Sequence, residues 1–258
     1  MQDPFYFLDD DFWYNGRLAS TFVFSLVIIV FARYLVFAWL YKTTIEWLTG
    51  SPRNRLRGKR KQIRREIWWA FVSTLVFVVL ACMGWWFYQQ GFTRVYENAD
   101  KYPLPYLIVS PVLLLALYET YYYWLHRWMH FPKVFRIVHR VHHESRQPTV
   151  FTSFAFHPIE AFLQLVFFPL IILLIPFHYI TLFIVFTIMS VSAVINHSGV
   201  EVFRSRVLLN HVIGSTHHDK HHAHFKYNFG LYFTWWDKWM KTERTDDSVS
   251  STDHAVSR

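Results

Sequence analysis

The chain has 258 residues, 53% of them hydrophobic and 21% aromatic, with a formal net charge of +8. Long apolar runs at that content mark a membrane protein rather than a soluble one, and a single cysteine, Cys82, excludes a disulfide framework and any cysteine-based zinc module. The basic excess would suit nucleic acid or an anionic membrane, but its main cluster, from Arg53 to Arg65, lies between two long apolar segments with no nucleic-acid-binding motif beside it. It therefore reads as an orientation signal and a lipid-headgroup contact.

Residues 1–18 are polar and aromatic, with Asp3, Asp9, Asp10 and Asp11 and no basic leader or cleavage site, so no cleaved signal peptide is expected there. The first apolar run is Thr21 to Tyr41, interrupted only by Arg33, and the second is Ile67 to Tyr88. Each exceeds the ~20 residues that cross ~30 Å of hydrocarbon. Arg33 either snorkels or pairs with another buried group. Cys82 sits in the second run as a small packed residue. A third run extends from about Tyr106 to Leu125 and carries Glu119 near its end. The fourth, Ala161 to Ile195, is broken by Pro176 and His178 into pieces of roughly 15 and 17 residues, each marginal for a crossing at ~1.5 Å per residue. They predict a helical hairpin with Pro176 at its tip. Residues 243–258 are polar and Ser-rich and predict a disordered tail.

The expected fold is thus an all-α integral membrane helical bundle of three long spanning helices plus a helical hairpin, with a histidine-rich helical cap. Residues 1–104 supply the N-terminal membrane helices and basic loop, 105–243 the remainder of one functional unit, and 244–258 the tail. If the basic 51–65 connection is cytoplasmic, the N-terminus lies outside. Helix counting then brings every histidine group, and the C-terminus, to the cytoplasmic side.

Those groups carry the chemistry. HRWMH gives His126 and His130 at i and i+4, one face of a helix. HRVHH gives His139, His142 and His143. NHSG gives His197, where the hairpin returns. HDKHH gives His218, His221 and His222, repeating the second spacing, with His217 just before. One HxxxH is weak; these copies on one expected membrane face are a strong metal signal. Imidazoles suit Fe, Zn, Cu or Ni. Eight or nine of them exceed the roughly four that one zinc accommodates, so two metals are expected. A His-rich divalent-metal transporter or a metal-bound scaffold stays open; a transporter would string ligands along its spans, whereas these sit at helix ends.

The set HRWMH, HRVHH, HDKHH resembles the histidine boxes of the fatty acid hydroxylase/sterol desaturase superfamily of membrane di-iron enzymes. PTVFTSFAFHPIEAFLQ (148–164), NHSGVE (196–201) and NFGLYFTWWDKWMKTE (228–243) are similar to the segments that accompany those boxes, in the same order. The resemblance covers roughly residues 105–243. It implies two iron ions, O2 as co-substrate, and hydroxylation or desaturation of a lipid C–H, of sterol or fatty acyl type. It also implies a separate electron donor of ferredoxin or cytochrome b5 type. His126, His130, His139, His142, His143, His197, His218, His221 and His222 are the implied ligands. His217, His157, Glu201, Glu160 and Glu119 are candidates for the surrounding support. Glu119 and Glu160 read equally as helix-terminal charges, and Glu201 occupies a position where some members carry a histidine. His178 reads as structural, and Asp237 as a turn or ion-pair anchor. The chain departs from the family at Met240-Lys241-Thr242, where members often have glycine before the threonine. The departure is expected to affect a turn.

Overall fold

A computed structural model describes residues 16–49, 59–203 and 205–244. The acidic N-terminal segment, most of the basic connection and the polar tail lie outside the described residues. Three long helices come first: α1 (Gly16–Thr49), α2 (Arg60–Gln89) and α3 (Leu104–Met129). Among the described residues there is no strand, only isolated bridges.

α3 contains Pro111, which removes the amide that would bond the carbonyl of Leu107. The Ser110 hydroxyl takes that carbonyl instead (3.1 Å) and meets Thr181 Oγ1 at 2.8 Å. A proline is thereby tolerated inside a span, as it must be where no water can serve the freed group.

Beyond α3 the chain turns through α4 (Pro132–Val134), a π-helical turn Phe135–His139 and α5 (Arg140–His143). A 3-10 turn, Val150–Phe154, leads to the hairpin. Its first limb is split into α6 (Pro158–Leu165) and α7 (Phe167–Leu174). Pro169 accounts for the break: it cannot donate to the Leu165 carbonyl, and its ring crowds that group. The return limb α8 (Tyr179–His197) begins where His178 accepts the Ile180 amide as N-cap (3.1 Å), and it runs two residues past the apolar run, to His197. Four helices are therefore long and apolar enough to cross a membrane, while Pro158–Leu174 is shorter. Their outer faces expose apolar side chains such as Phe24, Val79, Ile108 and Val191. With this pattern the protein is an integral membrane protein.

The bundle has two unlike ends. At one, the 89–103 connection closes over the hairpin tip: Tyr96 donates to Phe177 O (3.1 Å), Arg94 to Ile172 O (2.8 Å), and His178 Nε2 to Glu97 O (2.9 Å). At the other lie the start of α2, the ends of α3 and α8, and the short helices α9 (Arg206–Leu209), α10 (Ser215–His224) and α11 (Trp235–Trp239). Between the ends, α3 and the hairpin share a core of Leu114, Leu115, Tyr118, Phe168, Phe177 and Val185.

Candidate metal centre

All nine box histidines converge at the second end, in two groups. His126, His130, His139, His143 and His221 form one; His142, His197, His218 and His222 form the other. Within each group the potential ligand atoms lie within 4.8 Å of one another. The division follows from helical periodicity. Residues four apart share a face, and adjacent residues do not. His126 and His130 therefore stay together, as do His139 and His143, and His218 and His222. His142 and His221 point the other way, each crossing to the opposite group. The second box gives two rings to the five-histidine group and one to the other, and the last box does the reverse. His197, delivered by the end of α8, completes the smaller group.

The outer nitrogens fix which way each ring presents its lone pair. His126 donates through Nδ1 to Phe229 O (2.8 Å), His139 to Glu160 Oε1 (2.7 Å), His197 to Ala193 O (2.7 Å) and His221 to Tyr227 O (2.7 Å). With their protons on Nδ1, the Nε2 atoms are bare acceptors facing inward. Yet Nε2 of His126 lies 3.0 Å from Nε2 of His139, and Nε2 of His197 lies 3.0 Å from that of His218 and 3.2 Å from that of His142. For His126 and His139, whose Nδ1 protons are both committed, the two lone pairs repel and cannot hydrogen-bond each other, whereas a cation between them turns the repulsion into coordination. Burial, then the neighbouring imidazoles, holds His142, His143, His218 and His222 well below the ordinary histidine range. They are neutral at pH 7, as metal ligation requires. The two groups thus have the donor chemistry of metal sites.

The carboxylates around the centre have separate tasks. Glu160, fully buried at the start of α6, takes the His139 N–H and the Gln164 amide (3.0 Å). Glu119 touches no histidine; it accepts the amides of Leu231 (3.0 Å) and Tyr232 (2.8 Å), fastening the 228–232 loop to α3. Glu201 accepts Thr216 N (3.0 Å) and Phe203 N (3.1 Å), capping α10 rather than a ring. A Cβ on Gly214 would lie 2.5–2.8 Å from that carboxylate, so glycine is what lets Glu201 approach. Asp237 accepts the amides of Phe229 (2.8 Å) and Gly230 (2.9 Å) and the Thr242 hydroxyl (2.8 Å), with His217 Nε2 at 3.3 Å. His217 therefore turns away from both groups. His157 caps α6 through Ile159 N (3.3 Å) and lies outside them too.

One participant went unread in the sequence. Glu66, near the start of α2 and 1% exposed, accepts hydrogen bonds from Ser145 (2.7 Å), Thr149 (2.6 Å), Thr152 (2.9 Å) and Gln62 (2.7 Å). It clamps the connection that follows the second box. Its only sequence signal was an acid at the edge of a basic cluster, and three of its four partners lie 79–86 residues away.

An apolar cavity of about 530 Å³ runs through the bundle between α1, α2, α3 and the hairpin. Along α8 its wall is the stripe Tyr179, Phe183, Phe186, Ser190, Ala193 and His197. These 18 steps at ~1.5 Å make a slot roughly 27 Å long. At its inner end the wall includes His142 and His197, both of the four-histidine group.

The profile of the family described as Fatty acid hydroxylase matches residues 111–242. The chain is 33% identical over 186 residues to a lathosterol oxidase of Homo sapiens, covering 69% of this chain and 60% of that protein. It is 28% identical over 188 residues to a Delta(7)-sterol 5(6)-desaturase of Gibberella zeae, covering 73% and 58%. A Delta(7)-sterol 5(6)-desaturase of Saccharomyces cerevisiae is 28% identical over 231 residues, covering 88% and 60%. The chain spans about 60% of the length of these relatives. No solved structure matches it.

Proposed function

The chain belongs to the fatty acid hydroxylase family, and on that premise we propose that it is a membrane-bound oxidoreductase that uses O2 and external electrons to hydroxylate or desaturate a lipid C–H. One observation carries the proposal: two groups of inward-facing imidazoles, one of which forms the end wall of an apolar slot in the membrane. The metal ions are two irons. His126, His130, His139, His143 and His221 hold one, and His142, His197, His218 and His222 hold the other. Bound there, the pair supplies O2 reduction and abstraction of an unactivated hydrogen. Desaturation takes two hydrogens from the lipid and, with two donor electrons and two protons, turns O2 into two waters; hydroxylation leaves one oxygen in the lipid.

The protein's own part is orientation and exclusion. The carbonyls of Phe229, Ala193 and Tyr227 and the Glu160 carboxylate hold the rings in one tautomer. The slot brings a lipid tail from the bilayer to His142 and His197 and keeps water from its apolar wall. Relatives that act as lathosterol oxidase or sterol desaturase support a lipid substrate. The basic residues from Lys59 to Arg65, at the same end as the histidines, support a cytoplasmic centre and C-terminus and an outer N-terminus. A separate donor of ferredoxin or cytochrome b5 type supplies the electrons from that side. Clustering at one end, rather than along a path through the spans, argues against metal transport.

The test is elemental analysis of purified protein together with lipid mass spectrometry under 18O2. Two irons per chain and a lipid that gains 18O or loses two hydrogens is the expected result. One metal or none after iron loading would remove the proposal.

A further inference from the structure

α1 carries one charge deep inside its span. Arg33 lies 17 residues after Gly16 and 11 before Thr44, the ends of the apolar span, or about 25 Å and 16 Å at ~1.5 Å per residue. Neither end is within reach of its side chain, so it does not snorkel. It donates to Ser190 Oγ (3.0 Å), and among the described residues it has no carboxylate partner. A guanidinium presents five N–H donors, and one neutral hydroxyl leaves most of them unserved. Arg33 and Ser190 both line the slot that ends at His142 and His197. A charged group held at mid-membrane with spare donors marks a ligand pathway, and here the pathway is already on the page.

The chemistry of the missing partner follows. A planar guanidinium matches two coplanar oxygens bidentately, and in an apolar wall an anion is worth far more to it than a hydroxyl. We propose that Arg33 binds the carboxylate of an acidic lipid within the slot, making this chain's substrate an amphiphile with an anionic head rather than a neutral sterol. Ser190 holds the guanidinium toward the cavity. Ser190 stands seven residues before His197 on α8, so the bound head sits about 10 Å from the four-histidine group along the helix. The oxidised C–H is then set at that distance from the head. This rests on reading the slot as the lipid site, and Arg33 becomes its specificity-determining residue.

The test is equilibrium binding of radiolabelled palmitate to the purified full-length protein in nanodiscs. Methyl palmitate and cholesterol serve as neutral competitors, and iron content is read on the same samples. Palmitate is expected to bind saturably and to be displaced poorly by either competitor. Arg33→Gln is expected to weaken palmitate roughly 10- to 100-fold, the worth of a charge-assisted bidentate pair, and to leave methyl palmitate within about twofold. Arg33→Lys keeps the charge and is expected to keep the preference for acid over ester. It decides the matter if Arg33→Gln loses its iron and so its fold. Palmitate affinity in Arg33→Gln within about twofold of wild type overturns the inference. So does a wild-type preference for cholesterol, or loss of the acid preference in an iron-replete Arg33→Lys. Protein that binds palmitate through Arg33 but holds no iron would sink the proposed activity and leave this site standing.

Discussion

Glu160→Gln isolates one support of the centre. The substitution keeps the shape and leaves an amide oxygen to accept the His139 N–H, at 2.7 Å in the native protein with both groups fully buried. What disappears is the charge that a metal cation on the far side of the His139 ring would hold on this carboxylate, since burial by itself favours the neutral acid. Hydrogen bonds to ionised acceptors are worth ~1.5–3 kcal/mol against ~0.5–1.5 for neutral ones, so the lost difference is about 1–1.5 kcal/mol. Among the described residues Glu160 Oε2 has no hydrogen-bond partner, so the new amide nitrogen adds an unserved buried donor and a cost of about 1–3 kcal/mol. Together these come to about 2–4.5 kcal/mol, shared between fold stability and metal affinity; the affinity part is expected at roughly 10- to 100-fold, the range found when such outer partners are removed. His139 belongs to the five-histidine group alone, so the loss should fall on one metal of two. The assay is stepwise metal release by a graded chelator, in wild type and in two backgrounds. With His218→Ala, which cripples the four-histidine group, the remaining metal should show the whole weakening. With His126→Ala, which cripples the other, it should show none. Equal weakening in both backgrounds, or release of both metals at the wild-type chelator concentration, would refute the assignment of His139 to one centre.

Glu66→Ala strands the hydroxyls of Ser145, Thr149 and Thr152. At ~1–3 kcal/mol per stranded buried group, a loss of at least about 3 kcal/mol is expected, read as a lower midpoint of thermal unfolding in detergent and faster proteolysis within 144–152. Gly214→Ala forces Glu201 from the start of α10; loss of the cap costs about 1 kcal/mol, and reduced retention of the four-histidine metal is the readout. Lys241 sits at φ 56°, in the left-handed region, where a side chain costs roughly 1–2 kcal/mol. Lys241→Gly should raise the unfolding midpoint by a few degrees and leave metal content unchanged, and a lower midpoint would contradict the strain.

Much of this arrangement was legible because membrane spans and histidine boxes are both periodic signals. Three spans and the hairpin followed from apolar length, and eight of the nine converging histidines from HxxxH and HxxHH spacing. His197 stood alone, and only its resemblance to a family segment marked it. The last residues of α8 were not legible, since Asn196 and His197 continue the helix beyond the end of the apolar run. Pro169 could have announced the α6–α7 break, but it was masked by the stronger punctuation of Pro176. The assignment of each histidine to a group is implicit in the i, i+4 rule, yet which groups coincide in space depends on α3, α5, α8 and α10 meeting. Lys241 appeared as a departure in a turn, and its positive φ explains why glycine is the common choice there.

The acids around the centre divide their work from the imidazoles in a way that the geometry makes intelligible. Glu66, Glu119, Glu201 and Asp237 each take two or more N–H or O–H groups from connecting segments, and Glu160 alone takes the proton of a box histidine. A buried carboxylate is stable when several donors converge on it, and a loop is rigid when its amides converge on one acceptor. Asp237 has both effects. It fixes the amide of Phe229, whose own carbonyl orients His126, so an acid 111 residues further along the chain sets the direction of a ring at the end of α3. Neutral imidazoles bring no negative charge to metal cations, and the Glu160 carboxylate sits one ring away from the five-histidine group. That group therefore differs from the other in charge as well as in ligand number. The four-histidine group, supported mainly by carbonyls such as that of Ala193, is the one that meets the slot. A metal held there, by neutral donors with no carboxylate behind their rings among the described residues, would be the more electron-poor of two, and it would face the slot.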